Sequence, residues 1–353
     1  MEPLTETRDI VIRREGRAGH ITLNRPRRLN ALTWDMCLAI ERALAAWRED
    51  EDVELVMIDG AGERAFSAGG DLAEMYRTGR AGDYDYGRRF WRDEYRMNAT
   101  IAEYPKPVVA FLHGFVMGGG VGVGCHGRHR IVGATSRVAM PECAIGLVPD
   151  VGGSLLLATA PGRSGEFLGV TGWRMRGEDA LFAGFADHYI PEERWDALKA
   201  ALAGTGDVAA IEAAAERAPE SRLAALQEEI WQLFEGGDIH AIAAALESGE
   251  SALAAEARRL MAGNAPLSMG CTVEIIHRVR AVPTIRYALT QEFRFTFRSM
   301  EKGDFLEGIR ARIIDKDNEP RWRHDGIAAL SREEVTAMLA PLGKDELEWE
   351  DQP

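Results

Sequence analysis

Two carboxylates near the middle of this chain have the residue type and the spacing that proton transfer requires. Glu142 follows Pro141 in the largely apolar stretch 139–147, where an ionised carboxylate is costly unless it is paired or used. Asp150 comes shortly afterwards, before Val151 and two glycines. Carboxylates that lie close together push their pKa values apart, so one keeps its proton near neutral pH while the other can accept one.

A run of three glycines, Gly118 to Gly120, could supply the electrophilic part of the same site. The run follows an apolar stretch, residues 107–112, and is expected at a strand-to-helix junction. Glycine has no side chain to cover its main-chain N–H group, so such groups can bind an oxyanion. Losing one donor of this kind costs roughly 3 kcal/mol of transition-state stabilisation.

Each candidate carboxylate also has a structural interpretation. A glutamate after proline is more often a turn or helix-cap residue, and Asp150 has the position of an N-cap for a helix that continues through residues 155–160. Glu94 falls in a helical pattern over residues 84–104, beside Tyr95, and by spacing alone would lie on a solvated face or a half-buried edge.

Other catalytic arrangements are disfavoured by the sequence. No serine or cysteine stands in a nucleophile-elbow motif, and Cys143 has no evident base partner. The histidines His113, His126 and His129 fit core or turn positions. The four cysteines are far apart and form no CxxC pair, so neither a metal centre nor a disulfide framework is expected, and a reducing compartment fits best.

Composition limits the partners. With 353 residues, of which 46% are hydrophobic, the chain can form a globular core. Its net charge of −14 argues against nucleic acid, and no segment has the apolar length of a membrane span. The acidic stretch 1–9 lacks the features of a secretory signal or a mitochondrial presequence, which predicts a cytoplasmic location.

The elements that must position these residues alternate between strands and helices. Strands are predicted over residues 9–13, 20–23, 53–58 and 107–112, and a helix carries an apolar face from Met36 to Trp47, with Asn30 or Thr33 as its N-cap. From about residue 191 the sequence becomes rich in Ala, Glu and Arg with helical spacing. We therefore expect an α/β core, residues 1–195, and a mainly helical region, residues 196–353.

These motifs resemble those of the crotonase superfamily, the enoyl-CoA hydratases and isomerases. The match runs over nearly the whole chain and includes a second glycine segment, residues 65–72. The resemblance implies the crotonase-like (ClpP/crotonase) α/β fold, a spiral of ββα units with a helical C-terminal region. It also implies an acyl-coenzyme A substrate, an oxyanion hole made by the N–H groups of Gly70 and Gly119, and no separate cofactor, since coenzyme A is part of the substrate.

Within the superfamily, the chain is most similar to the 3-hydroxyisobutyryl-CoA hydrolases, the thioesterases of valine catabolism. Four segments carry this narrower likeness, namely residues 90–95, 117–122, 140–153 and 292–317. The resemblance assigns catalysis to Glu142 and Asp150 and contact with the substrate to these two residues, Gly119 and Glu94. It further implies that four residues bind coenzyme A: Arg27, Arg28, Ala68 and Asp71. For the arginines, a solvated turn is the structural alternative.

One departure from the hydratases favours hydrolysis. Hydratases carry a second catalytic glutamate shortly after the oxyanion glycine, where this chain has Gly122. Glu142 would then either deprotonate the attacking water or attack the thioester to form an anhydride, and Asp150 would orient water or protonate the leaving thiolate. An enoyl-CoA hydratase or isomerase is the alternative activity, and a homo-oligomer is consistent with the superfamily.

Overall fold

The computed structural model describes residues 8–349, so the expectation for the first seven residues lies outside the described part of the chain. The strands are β1 (Ile10–Glu15), β2 (Ala18–Leu23), β3 (Leu55–Gly60), β4 (Ala65–Ser67), β5 (Val108–Phe111), β6 (Phe115–Met117), β7 (His129–Val132), β8 (Arg137–Ala139), β9 (Met175–Arg176) and β10 (His188–Tyr189). The helices are α1 (Trp34–Arg48), α2 (Ala73–Arg80), α3 (Asp85–Ala102), α4 (Gly119–Gly124), α5 (Gly153–Thr159), α6 (Ser164–Thr171), α7 (Gly177–Phe182), α8 (Trp195–Thr205), α9 (Ala209–Ala214), α10 (Arg222–Ala225), α11 (Gln227–Phe234), α12 (Ile239–Ser248), α13 (Ala252–Met261), α14 (Pro266–Ala281), α15 (Ile285–Lys302), α16 (Phe305–Ile309) and α17 (Arg332–Met338).

One compact unit holds the sheets and is made of residues up to Gly70, Arg96–Ala139 and Arg174–Ala224. Its larger sheet has the order β1-β2-β3-β5-β7-β10, antiparallel at β1/β2 and parallel elsewhere. The smaller sheet has the order β4-β6-β8-β9 and is parallel except at β8/β9. In the parallel region, β3 and β5 are rich in Val, Ile and Leu and almost wholly buried, as expected for strands that are covered on both faces.

Local sequence explains how this unit begins its helices and fills its core. Thr33 caps α1, because its hydroxyl accepts a hydrogen bond from Met36 N at 3.3 Å, so of the two predicted caps Thr33 is confirmed. Trp195 of α8 packs its ring 5.6 Å from that of Phe111 on β5, in a core that includes residues of β2, β3, β5 and β7. The four predicted strands and both predicted N-terminal helices are present, shifted by a few residues.

The second unit is helical and is made of Asp71–Tyr95, Met140–Trp173 and the residues from Ala225 onward. Its central helix, α14, is buried along most of its length and packs against α5, α6 and α15. This arrangement places helices from the middle and the end of the sequence together, and it positions the loop before α5. The predicted helical character of the last third is confirmed. The division at residue 195, where α8 begins, stays a prediction.

Within the described residues, no helix has both the length and the apolar character required to cross a lipid bilayer. The four cysteines, Cys37, Cys125, Cys143 and Cys271, are free thiols, and all of them are buried.

Candidate active site

Four of the buried carboxyl groups in the helical unit interact with one another. Glu94 is on α3, Glu142 opens a 3-10 turn, Asp150 precedes α5 and Glu292 is on α15, and none is more than 5% exposed. Asp150 interacts electrostatically with each of the other three. Since Asp and Glu are rarely buried without a partner, a group of four marks a candidate functional site. The exposed or half-buried position considered for Glu94 is therefore wrong.

Burial shifts the protonation of this group. Removal from water raises the pKa of Glu94 and Glu142 well above the usual range, and the neighbouring charge of Asp150 raises both further. Burial also raises the pKa of Asp150 to about 7, against the opposing effect of a hydrogen bond from Tyr95. The site therefore holds protons near neutral pH, with Asp150 close to the midpoint of its titration. Such a group can donate or accept a proton at little cost.

Glu142 presents an unsatisfied oxygen. Its Oε2 atom is buried and has no hydrogen-bond partner within the described residues 8–349. Burying an unsatisfied acceptor costs about 1–3 kcal/mol, so its persistence points to a ligand that completes the site. The next residue, Cys143, contacts Gly169 O at 3.4 Å and Thr272 Oγ1 at 3.3 Å, and burial raises the pKa of its thiol to about 12. Cys143 is thus unsuited to act as a nucleophile, as the sequence predicted.

The turn that carries Glu142 is fixed by another part of the same unit. Gly308 of α16 lies so close that an added Cβ would be 2.1 Å from Ile145 O. Gly146 has a φ of 75° and ends the turn, and its own added Cβ would be 2.5 Å from Asp304 O. Only glycine tolerates both approaches, so the segment around residue 308 packs directly against the turn that carries Glu142.

Asp150 has a different partner from the one expected from sequence. Tyr95 Oη donates a hydrogen bond of 2.8 Å to Asp150 Oδ2. The helix α5 begins at Gly153, so the carboxylate does not cap it, and the N-cap prediction is wrong. Val151, directly after Asp150, has a φ of 53°, a conformation that β-branched residues avoid and that costs about 1–3 kcal/mol. The chain turns sharply here and points the carboxylate toward Tyr95.

In the sheet-containing unit, the two predicted oxyanion segments lie side by side. The parallel strands β4 and β6 pair Ser67 with Val116, and both glycine segments follow at the carboxyl ends of these strands. An added Cβ on Gly69 would lie 3.4 Å from Met117 O and 3.9 Å from Gly119 N. Gly119 opens α4, and the first N–H groups of a helix have no acceptor within it. The geometry brings the segments of Gly70 and Gly119 together.

The residues assigned to coenzyme A binding lie on separate segments of the chain. Arg27 and Arg28 end an exposed 3-10 turn, as the solvated alternative predicts, and Ala68 is half-buried with its N–H donated to Leu29 O at 2.9 Å. In the helical unit, Asp71 precedes α2 and accepts a weak hydrogen bond of 3.4 Å from Ala73 N. The binding roles of these four residues stay predictions.

Comparison with known proteins identifies the family. A sequence model described as enoyl-CoA hydratase/isomerase matches residues 18–339. The chain belongs to the enoyl-CoA hydratase/isomerase family. A solved structure described as an enoyl-CoA hydratase from Rhodobacter sphaeroides 2.4.1 is 55% identical, has a TM-score of 0.94, and matches over 97% of this chain and 100% of its own. The predicted crotonase-like α/β fold is confirmed.

Relatives in this family carry different names. The 3-hydroxyisobutyryl-CoA hydrolase of Danio rerio is 36% identical over 96% of this chain and 91% of its own length, and that of Homo sapiens is 33% identical over 97% and 91%. Both are named as mitochondrial. A structure described as a carnitinyl-CoA dehydratase from Mycobacterium thermoresistibile is 41% identical, with a TM-score of 0.93 over 98% of this chain and 100% of its own.

Two residues of this family member's site were not assigned a role from sequence. Tyr95 bonds Asp150, and Glu292 bonds the turn that follows it. Both lie in segments of the hydrolase likeness, residues 90–95 and 292–317. The only local signal was the position of Tyr95 next to Glu94, because the partners are far apart in the sequence.

Proposed function

We propose that this protein hydrolyses 3-hydroxyacyl-CoA thioesters, with 3-hydroxyisobutyryl-CoA as its substrate in valine catabolism. The observation that carries the proposal is the pair of Glu142, with its unpartnered buried oxygen, and Asp150, whose pKa is raised to about 7. The names of the relatives from Danio rerio and Homo sapiens support the same activity. Coenzyme A enters as part of the substrate, and the reaction uses no other cofactor.

The proposed reaction adds water to the thioester carbonyl and breaks the carbon–sulfur bond. The N–H groups of Gly70 and Gly119 bind the oxygen that becomes negative, and Glu142 either takes a proton from water or attacks the carbonyl to form an anhydride that water then opens. Asp150 orients the water or gives its proton to the departing thiolate. The products are the free 3-hydroxyacid and coenzyme A.

Binding is assigned to the remaining candidates. Glu94, which burial keeps protonated near neutral pH, can donate a hydrogen bond to the substrate hydroxyl or accept one from it. Arg27, Arg28, Ala68 and Asp71 are proposed to hold coenzyme A, with the arginines facing its phosphates. A cytoplasmic location and a homo-oligomer remain part of the proposal.

The second candidate is an enoyl-CoA hydratase or isomerase, favoured by the description of the solved relative from Rhodobacter sphaeroides. In the structure Gly122 is buried within α4 and offers no carboxylate, which disfavours water addition by two glutamates. Glu142 and Asp150 would then have to carry such chemistry.

The test is thiol release from 3-hydroxyisobutyryl-CoA, 3-hydroxypropionyl-CoA, acetyl-CoA and crotonyl-CoA, with hydration of crotonyl-CoA followed on the same preparation. We expect thiol release from the 3-hydroxyacyl substrates alone, reduced roughly 10²–10⁴-fold in Glu142→Gln and in Asp150→Asn. Hydration or double-bond migration without thiol release would favour the hydratase or isomerase and reject the hydrolase.

A further inference from the structure

Glu292 is a buried carboxyl group whose side-chain hydrogen bonds to residues 8–349 all go to the turn after Asp150. Its Oε2 accepts from Gly152 N at 2.8 Å, and its Oε1 accepts from Ser154 N at 3.0 Å and contacts the Ser154 hydroxyl. The side chain is 0% exposed. These bonds come from α15, about 140 positions later in the sequence, and satisfy N–H groups at the start of α5.

The turn that Glu292 bonds is one that cannot hold its shape by local preference. Val151 has a φ of 53° and Gly152 a φ of 80°, so two successive residues are left-handed, and the first is β-branched. Such a conformation persists only when the surroundings determine it. Within the turn itself, Gly153 N donates to Asp150 O at 2.7 Å, and Glu292 supplies acceptors for the amides on either side of Gly153.

The same helix also supports the donor to Asp150. One turn after Glu292, Thr296 Oγ1 lies 3.5 Å from Tyr95 Oη, and the Phe293 ring packs edge-on against the Tyr95 ring at 6.1 Å. Thus α15 holds the phenol from one side and the turn that bears the acceptor from the other. The bond between Tyr95 and Asp150 therefore depends on where α15 lies.

We propose that Glu292 is a positioning residue for the hydrolysis, which fixes the strained turn at Val151 so that Asp150 stays aligned with Tyr95 and Glu142. The proposal rests on the function proposed above. Glu292 does not itself touch the substrate. It acts through the position of Asp150.

The decisive variant is Glu292→Gln, which keeps the shape of the side chain. A glutamine places its NH₂ group against one of the two backbone N–H groups that donate to Glu292. That N–H group then loses its acceptor, so the turn loses a hydrogen bond. We expect kcat to fall roughly 10–100-fold, the loss typical of a buried N–H group left without its acceptor, with KM changed less than about threefold. The matched control is Glu166→Gln, since Glu166 is equally buried in the same unit but is bonded by Arg163, His277 and Arg280.

A pH profile separates positioning from general destabilisation. The groups that face Glu292 and titrate are Tyr95, Glu142 and Asp150, and the charge of Glu292 raises the pKa of Glu142. Burial raises the pKa of Glu292 itself to about 8, so its charge acts on Glu142 chiefly above that pH. Removing the charge should therefore alter the alkaline part of the kcat/KM profile in Glu292→Gln, and the profile of Glu166→Gln should match that of the wild type. If Glu292→Gln folds, keeps kcat within about twofold of the wild type and shows the wild-type pH profile, the proposal is overturned.

Amide hydrogen exchange of the substrate-free protein distinguishes failure of this proposal from failure of the proposed function. We expect the amides of Gly152 and Ser154 to lose protection in Glu292→Gln but not in Glu166→Gln, whatever reaction the protein catalyses. Absence of thiol release in the wild type would reject the function, whereas unchanged protection of these amides would reject the role of Glu292.

Discussion

Tyr95 and Asp150 form a buried hydrogen bond of 2.8 Å between α3 and the turn that precedes α5. Each group restricts the other. The negative charge of Asp150 adds to burial in raising the pKa of Tyr95 well above its usual value, and the phenol lowers the pKa of Asp150 relative to burial alone. Tyr95 therefore stays a donor across the working pH range, and the carboxylate accepts in a fixed direction.

Tyr95→Phe should remove this donor while retaining the ring that packs on Phe293. Without the bond, the pKa of Asp150 should rise from about 7, because a donor to the ionised form is lost. The limb of the kcat/KM profile that belongs to Asp150 should move to higher pH, and kcat should fall roughly tenfold or more. Steady-state kinetics between pH 5 and pH 9, a range of about four units around neutrality, provide the check. A profile identical to that of the wild type would contradict it.

Asp150→Asn should stabilise the protein more at alkaline than at acid pH. Burial raises the pKa of Asp150 from 3.8 to about 7, so the folded state holds a proton that the unfolded chain releases. The contribution of this group is fully present below the lower value and is lost as pH rises through the upper one, at about 1.4 kcal/mol for each pH unit between them. Urea unfolding of the wild type and the variant near pH 4 and pH 8 should show that the difference between their free energies of unfolding grows with pH. A constant difference would mean that Asp150 titrates normally.

Glu166→Gln should destabilise the fold and leave the chemistry intact. The Glu166 carboxylate accepts from Arg163 at 2.8 Å and Arg280 at 2.7 Å and lies 3.1 Å from His277 Nε2. These partners lower its pKa to about 2, so its contribution is present at neutral pH and is lost as pH falls from about 4.5 toward 2. Breaking such a network costs about 3 kcal/mol, measurable by urea unfolding at pH 7. We expect an unchanged kcat and a lower urea concentration at the midpoint of unfolding.

Gly120→Ala should disrupt the junction between the two glycine segments. An added Cβ would lie 2.4 Å from Ser67 O and 2.9 Å from Ser67 Cβ, so the main chain must move. We expect a lower melting temperature and a large loss of activity. Gly204→Ala is the matched control, because nothing lies within 4 Å of an added Cβ there and alanine favours the helix by up to about 1 kcal/mol. If both variants melt at the wild-type temperature, the segments are less tightly packed than described.

The sequence predicted those features that local patterns determine. Thr33 caps α1 because its hydroxyl reaches an amide three residues later, and the strand patterns follow from runs of apolar residues. Glu142 was recognisable since a carboxylate among apolar residues must have a use.

The contacts of Asp150 could not be predicted in the same way. Its Tyr95 partner lies 55 positions away, and the amides that Asp150 was expected to cap are satisfied by Glu292, from 140 positions away. Capping propensity describes only the adjacent residues, so it gave the wrong acceptor. Glu94 was placed wrongly because charged neighbours such as Arg92 and Asp93 hide which face of α3 is covered.

The burial of all four cysteines has a practical consequence for enzymology. Disulfide reagents for colorimetric thiol assays react with exposed thiolates. In this protein, burial raises the pKa of the Cys125 and Cys143 thiols to about 12, so they stay protonated as well as inaccessible. The folded protein should therefore contribute almost no background, and a continuous colorimetric trace would report released coenzyme A alone. The appearance of protein thiols in the same trace would register unfolding, so one cuvette can follow both turnover and loss of the native state.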